Sequence, residues 1–463
     1  MPGQYAALSY CWGSASELAS NPPYKATTST IQALRSGIDT SKLPLTIQQA
    51  LWVCKKLEIE YIWVDSLCVI QDSLQDWEVE ATKMATVYSM SKVTIIAATS
   101  TSCHSGFLGI KRSQDQLRAS LGSPFQLTVT PVCISGFHKY NFVHHPHDPL
   151  DARGWTLQEE VLSSRYLKFT KDDIQWKCNA GSTCLCGQQP SKAYRSIWQL
   201  SNPTNVNSRP WEDLVQEFSH RLFTKDTDKF ISLSSLARKM APTFPALEGQ
   251  TPYIAGLWRS SLINHLNWHA RGELGRIPDS YIAPTFSWAS LGFDKQGVGF
   301  PPVLKHGLCQ ALDASTTPVY EGNEFGAVSE GVISLYGPHI HCTIQFQESK
   351  PEMTMRQEMT PELEVRRIIL DCPLRKDLLD DGSITLQRST GSTQQETGEF
   401  SVSVLILGQA GKWNFNYFHG LILGYVGNGK YQRLGKVVLG YPGREGKFSA
   451  EDFTSLRREV VIV

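Results

Sequence analysis

The chain has 463 residues, 41% hydrophobic and 10% aromatic, with 12 tryptophans, enough core material for two or three globular domains. Its 44 basic and 44 acidic residues cancel. Charge therefore draws it to neither a polyanion nor an acidic membrane surface, and the expected partners include no nucleic acid and no membrane.

The eleven cysteines mostly stand apart. The start, MPGQYAALSYCWG, has no basic and then apolar leader, and no apolar run approaches the roughly 18 residues a membrane helix needs. The expectation is a cytoplasmic protein with reduced thiols.

In chain order, residues 6–10 (AALSY) read as a short strand broken by Gly13-Ser14. TIQQALWVCKKL places Ile47, Ala50, Leu51, Cys54 and Leu57 at helical spacing, so it reads as an amphipathic helix. YIWVD (61–65) follows as a buried strand, 75–90 as a second helix and 92–98 as another buried strand. Helices alternating with apolar strands argue for an α/β layer with a mainly parallel sheet. LTVTPVCI reads as a strand, and RGWTLQEEVLSSRYLKF as a helix followed by a strand. Residues 191–275 read as mostly helical, and β-structure is expected from about 280 onward, with polar loops at 312–330 and 376–400. The expected divisions are 1–190, a helical section 191–280 and a β-rich region 281–463.

Candidate chemistry centres on acids. In the helix QDWEVEATKMATVYSM, at ~100° per residue, Trp77, Ala81, Met84 and Tyr88 form one stripe, and Glu80 lies about 50° from its centre. A partly buried carboxylate there needs hydrogen bonds, a cation or a proton. It is either a general acid/base or ribose-binding group, or one half of a structural ion pair. Asp65 ends a strand, where α/β sheets bind ligands, although an acid there also caps turns. Cys68 is a nucleophile only if its pKa is lowered; otherwise it is a small buried thiol. Arg153 is a natural counter-ion for Asp65 or Glu80, or an anchor for a ligand anion.

Metal sites are not expected. His144, His145 and His147 surround Pro146 in a loop, and Cys178, Cys184 and Cys186 lack standard zinc spacing. His265 and His269 share a helix face in this reading but lack the glutamate of a zincin.

The stretches ALSYCWG, LPLTIQQAL, YIWVDSLCVIQD, DWEVEATKMATVY, GFLG and RGWTLQEEVLSSRYLKF, in that order, resemble the fungal heterokaryon-incompatibility (HET) domain over roughly residues 5–180. One mild departure is Val69-Ile70 before Gln71, where the family often has Ile-Asn or Ile-Ile. The later pieces DKFISLSSLA, YIAGLWRSSL and APTFSWASLG resemble the downstream region of long HET-domain proteins. The resemblance implies a TIR-like (flavodoxin-like) fold and a role in non-self recognition and programmed cell death. It also implies NAD as a candidate substrate, cleaved with a helix glutamate, here Glu80. Carried over by motif position, Glu80, Asp65 and Cys68 are the catalytic candidates. Tyr10, Trp12, Trp63, Gln71, Arg153, Trp155, Gln158 and Glu159 are the binding candidates. No resident cofactor is expected. Two other functions stay open: a scaffold recruited to metabolite biosynthesis as a cyclase, isomerase or condensing enzyme, and a non-catalytic module that forms homo-oligomers.

Overall fold

The computed structural model describes residues 3–109, 148–171, 173–185, 209–245, 249–294, 296–346, 351–355, 363–379, 384–390, 398–410, 417–440 and 450–463. It divides into two compact units, Met1–Val206 and Asn207–Val463.

In the first unit the elements run β1 (Tyr5–Ser9), α1 (Ala15–Ser20), α2 (Ile31–Ser36), α3 (Leu45–Lys56), β2 (Tyr61–Trp63), α4 (Asp65–Cys68) and α5 (Leu74–Met90). After them come β3 (Val93–Ile96), α6 (Gly154–Leu162), β4 (Arg165–Phe169), β5 (Ile174–Cys178) and β6 (Gly181–Cys184). The six strands form one sheet in the order β2-β1-β3-β4-β5-β6. The β1–β2, β1–β3 and β3–β4 pairings are parallel, and β4–β5 and β5–β6 are antiparallel. This is the mainly parallel α/β sheet the alternation of helices and apolar strands predicts.

Helix α3 buries Ile47, Ala50, Val53 and Cys54 against Leu8, Val64 and Ile95 of the sheet layer. Tyr166, Ile96 and Leu150 pack in a separate cluster. Gly13 closes β1 at φ +123°, a backbone that side-chain-bearing residues rarely adopt; a Cβ there would also meet Ser102 Cβ at 3.0 Å.

The YIWVD run departs from its expected place. β2 is an edge strand three residues long, with Tyr61 53% exposed, and β1 and β3 hold the centre. Asp65 belongs to the one-turn helix α4 rather than to the strand. An apolar run shows that a segment can be buried; the number of neighbouring strands decides whether it is. The expected strand LTVTPVCI lies outside the described residues.

The second unit begins with α7 (Pro210–Ser219) and α8 (Asp228–Met240), which fit the helical reading of this stretch. The rest of 209–275 is not mostly helical. β7 (Tyr253–Ile254) and β8 (Leu257–Trp258) form a hairpin, α9 (Leu262–His265) is one turn, and His269 opens β9 (His269–Ala270), which pairs with β10 (Val298–Gly299). His265 and His269 therefore do not share a helix. Aromatic packing overrides helical spacing here: Trp211, Trp258 and Trp268 are all sealed within the fold.

The β-rich part contains β11 (His306–Gly307), β12 (Gln310–Pro318), β13 (Val328–Phe346), β14 (Pro351–Met355), β15 (Glu364–Leu370), β16 (Leu374–Leu378) and β17 (Ile384–Arg388). It ends with β18 (Gly398–Ala410), β19 (Tyr417–Gly427), β20 (Lys430–Gly440) and β21 (Arg457–Ile462). β13 pairs with both β18 and β21, so β13-β18-β19-β20-β21 close into a ring that removes sheet edges. Polar stretches expected as loops contain strands, β12 and the β16–β17 hairpin. In β12 only Ala314 is fully buried, so the strand carries almost no apolar signal.

One ion pair anchors this unit. Asp371 and Arg433 are both fully buried, with Nε to Oδ2 at 2.7 Å. The Arg433 guanidinium also donates to the carbonyls of Leu266 and Trp268 and stacks 3.5 Å from the Trp268 ring centroid. Arg388 reaches the same carboxylate at 3.8 Å. Asp371→Ala would leave two guanidiniums without their buried partner and should cost about 3–5 kcal/mol in thermal or urea unfolding. The double change Asp371→Leu, Arg433→Met should recover most of that loss.

Candidate functional site

The strand order reverses between β1 and β3, because β2 pairs on one side of β1 and β3 on the other. In open α/β sheets the crevice beyond the carboxyl ends of the strands at such a reversal is where ligands bind. Tyr10, Cys11 and Trp12 follow β1 there, and Asp65 follows β2.

These residues meet through directed hydrogen bonds. Trp12 Nε1 donates to Asp65 Oδ2 at 2.8 Å, and the Ser66 backbone N–H donates to Asp65 Oδ1 at 2.6 Å. Tyr10 Oη donates to Ser66 Oγ at 2.9 Å. Arg153, at the N-terminus of α6, donates from Nη1 to the Tyr10 carbonyl at 3.2 Å. Gln71 braces the turn by donating from Nε2 to the carbonyls of Asp65 and Val69. Behind them, Tyr88 Oη donates to the Leu8 carbonyl.

Glu159 joins this cluster from α6. Burial raises its carboxyl to about 7; the Ser9 and Tyr88 hydroxyls and the Arg153 charge oppose that rise, and the Asp65 charge adds to it. The Asp65 carboxyl is also raised by desolvation, against the Trp12 hydrogen bond, the Arg153 charge and the Ser66 N–H. Burial lifts the Cys11 thiol despite Arg153. Two acids and one arginine thus share a site whose inner members are sealed, whereas Trp12, Asp65 and Arg153 remain half-buried at its outer side.

The other sequence candidates sit around this cluster or away from it. Trp63 packs edge-to-face on Tyr88 at 5.7 Å, and Trp155 on Trp77 at 6.4 Å. Gln158 is buried, and its Oε1 has no hydrogen-bond partner among the described residues. Glu80 is half-buried but pairs with Lys83 at 2.8 Å on the surface of α5. The acid that interacts with Asp65 and Arg153 is Glu159. Cys68 is an exposed residue whose thiol is raised, first by desolvation and then, against a Val64 hydrogen bond, by the Asp65 and Glu80 charges. A raised thiol is the reverse of an activated nucleophile.

Ser9, Cys11 and Ser66 are members that sequence reasoning did not pick out. Their signal was weak: small residues at the ends of apolar runs. The burial of Glu159 was equally hidden, because α6 buries every residue from Thr156 to Leu162 and shows no polar face to read.

Among the described residues, no group of three or more His, Cys, Asp or Glu could hold a metal ion. Cys178 is free and Cys184 is disulfide-bonded, so the two do not share a zinc site. His144, His145, His147 and Cys186 lie outside the described residues. No helix among the described residues is long and apolar enough to cross a membrane. A groove of about 430 Å³ is lined by Leu51, Cys54, Lys55, Glu58, Ile59, Glu60, Tyr61 and Ile62 at the edge strand β2, and by none of the rim residues. Hydrogen-bonded acids carry more chemical information than that shallow concavity, so the rim is the candidate site.

The fold and site define an α/β domain with a charged cluster at its strand-order reversal. Residues 5–159 match the family model described as Heterokaryon incompatibility protein (HET), so this part of the chain is a HET domain. The comparisons with curated proteins and with solved structures returned no match.

Glu159 gives a pH signature. Its folded carboxyl binds a proton more tightly than the unfolded group, whose ordinary value is 4.5. The stability tied to that proton is full below the unfolded value and is lost as pH rises through about 7. The group should therefore remove roughly 3 kcal/mol between pH 5 and pH 8. Thermal melts of the full chain across that range should show the decline, and Glu159→Gln should flatten it.

Proposed function

We propose that this chain acts in heterokaryon incompatibility as a cell-death effector, through hydrolysis of the nicotinamide–ribose bond of a nicotinamide nucleotide at the Asp65–Glu159–Arg153 rim. The observation that carries this reading is the meeting of two carboxyls and an arginine at the sheet's strand-order reversal, with one carboxyl raised to about 7. A group titrating near the working pH is suited to passing protons. The parallel pairings of β2, β1, β3 and β4, in that order, support a TIR-like (flavodoxin-like) reading of the domain.

Each residue has a role in this scheme. Arg153 attracts the pyrophosphate of the nucleotide. Asp65, fixed by Trp12 and Ser66, faces the ribose and steadies positive charge as the bond to nicotinamide breaks. Glu159 accepts the proton of the attacking water. The C–N bond breaks, a C–O bond to water oxygen forms, and nicotinamide leaves with the bonding electron pair. Glu80 lies outside this scheme.

Incubating purified full-length protein with NAD tests it. Wild type should release nicotinamide, and Glu159→Gln and Asp65→Asn should each slow release by about 100-fold or more, the scale of a lost acid–base group. Glu80→Gln should stay within about threefold of wild type. NAD left intact by wild type over hours would end the hydrolase reading. Loss of activity in Glu80→Gln but not in Glu159→Gln would end the site assignment.

A further inference from the structure

The face shared by β15, β20 and β19 gathers basic side chains, and the acid on it among the described residues, Glu364 opposite Gly440, is paired with Arg366. Arg367 and His419 both pair opposite Val438, and directly opposed residues on antiparallel strands project to the same side. Lys436 is two residues from Val438 and shares that face. The segment after α9 lies over it. Lys436 Nζ donates to the Asn267 carbonyl at 3.2 Å, and His419 Nδ1 lies 3.1 Å from Asn267 Oδ1.

Lys436 is 1% exposed and makes no ion pair among the described residues. Lysine is rarely buried so completely without a partner. Desolvation and the Arg433, Arg367 and Arg209 charges hold its pKa well below the ordinary value, and among the described residues the acid opposing them is Asp371. That carboxylate is already engaged by Arg433 and Arg388, and Arg209 is paired with Glu212. His269, beside Lys436, Arg271, Arg367 and Arg433, is lowered to about 3, chiefly by burial, and its Nδ1 is buried with no hydrogen-bond partner among the described residues. Burial also lowers His419 to about 3, helped by Lys436. A missing counter-charge and an unpartnered ring nitrogen thus occur in one place. A single dianion would answer both, restoring protons to the amine and imidazoles as it entered. Arg367 is exposed and Arg271 half-buried, which leaves this cluster a charged outer end.

We propose that Lys436, His269, His419, Arg271 and Arg367 form a phosphoryl-binding site in the second unit, taking inorganic phosphate or the phosphate end of a small metabolite. Titration calorimetry on the full chain tests this, with inorganic phosphate in one arm and glycerol 3-phosphate in the other. Each arm is run at pH 6.5 in two buffers of different ionisation enthalpy. Binding should come with net proton uptake and weaken toward pH 8.5; the tighter of the two probes identifies the source. Lys436→Met should weaken binding by about tenfold or more, and Arg367→Ala, at an exposed position, by severalfold, as expected for lost charge-assisted hydrogen bonds. The site is ruled out if neither probe binds beyond sodium chloride of matched ionic strength. It is equally ruled out if folded Lys436→Met binds like wild type. Should Lys436→Met fail to fold, unchanged binding by Arg367→Ala without proton uptake by wild type would overturn the proposal.

Discussion

The hydrogen bond from the Trp12 indole to the Asp65 carboxylate is the contact on which the N-terminal rim depends. An acid at the end of a strand loses water as the sheet packs, and it must be given donors or a proton. Trp12 supplies one donor and the Ser66 N–H another. Those bonds join the end of β1 to α4. Arg153 then ties α6 to the same place through the Tyr10 carbonyl, and Glu159 arrives with it. Segments more than a hundred residues apart in sequence are thereby fixed around one pair of acids.

The second unit meets the same constraint with the opposite sign. Arg433 is fully buried, and its guanidinium is met by Asp371, two carbonyls and the Trp268 ring. Lys436, three residues further along β20, donates to the Asn267 carbonyl and makes no ion pair among the described residues. Both units thus hold ionisable groups in their interiors: the N-terminal cluster sets two acids around one arginine, and the Lys436 cluster sets several basic groups near Asp371, which Arg433 and Arg388 already engage. The difference lies in the supply of opposite charge rather than in depth of burial.

Much of the N-terminal domain was legible in sequence. α3 and α5 follow from the spacing of apolar residues, and the alternation with short apolar strands gave the mainly parallel sheet. Tyr10, Trp12, Asp65, Gln71, Arg153 and Glu159, picked out from motifs, do gather at one end of that sheet. The C-terminal half was read less well. Strands such as β12 are polar because most of their side chains face outward, and the indole-rich packing of residues 253–270 breaks a helical pattern that spacing alone would continue.

By itself the sequence determined which residues were available as acids, bases and anchors, and which segments would coil or extend, because periodicity and capping are local properties. Tertiary structure decided which acid meets which base. Helical spacing placed Glu80 close to a buried stripe, yet it pairs with Lys83 on its own helix. Glu159, on a helix without a polar face, reaches Asp65 and Arg153 instead. Periodicity specifies the face a side chain occupies; the neighbour across that face depends on strand order, which pairing far along the chain sets.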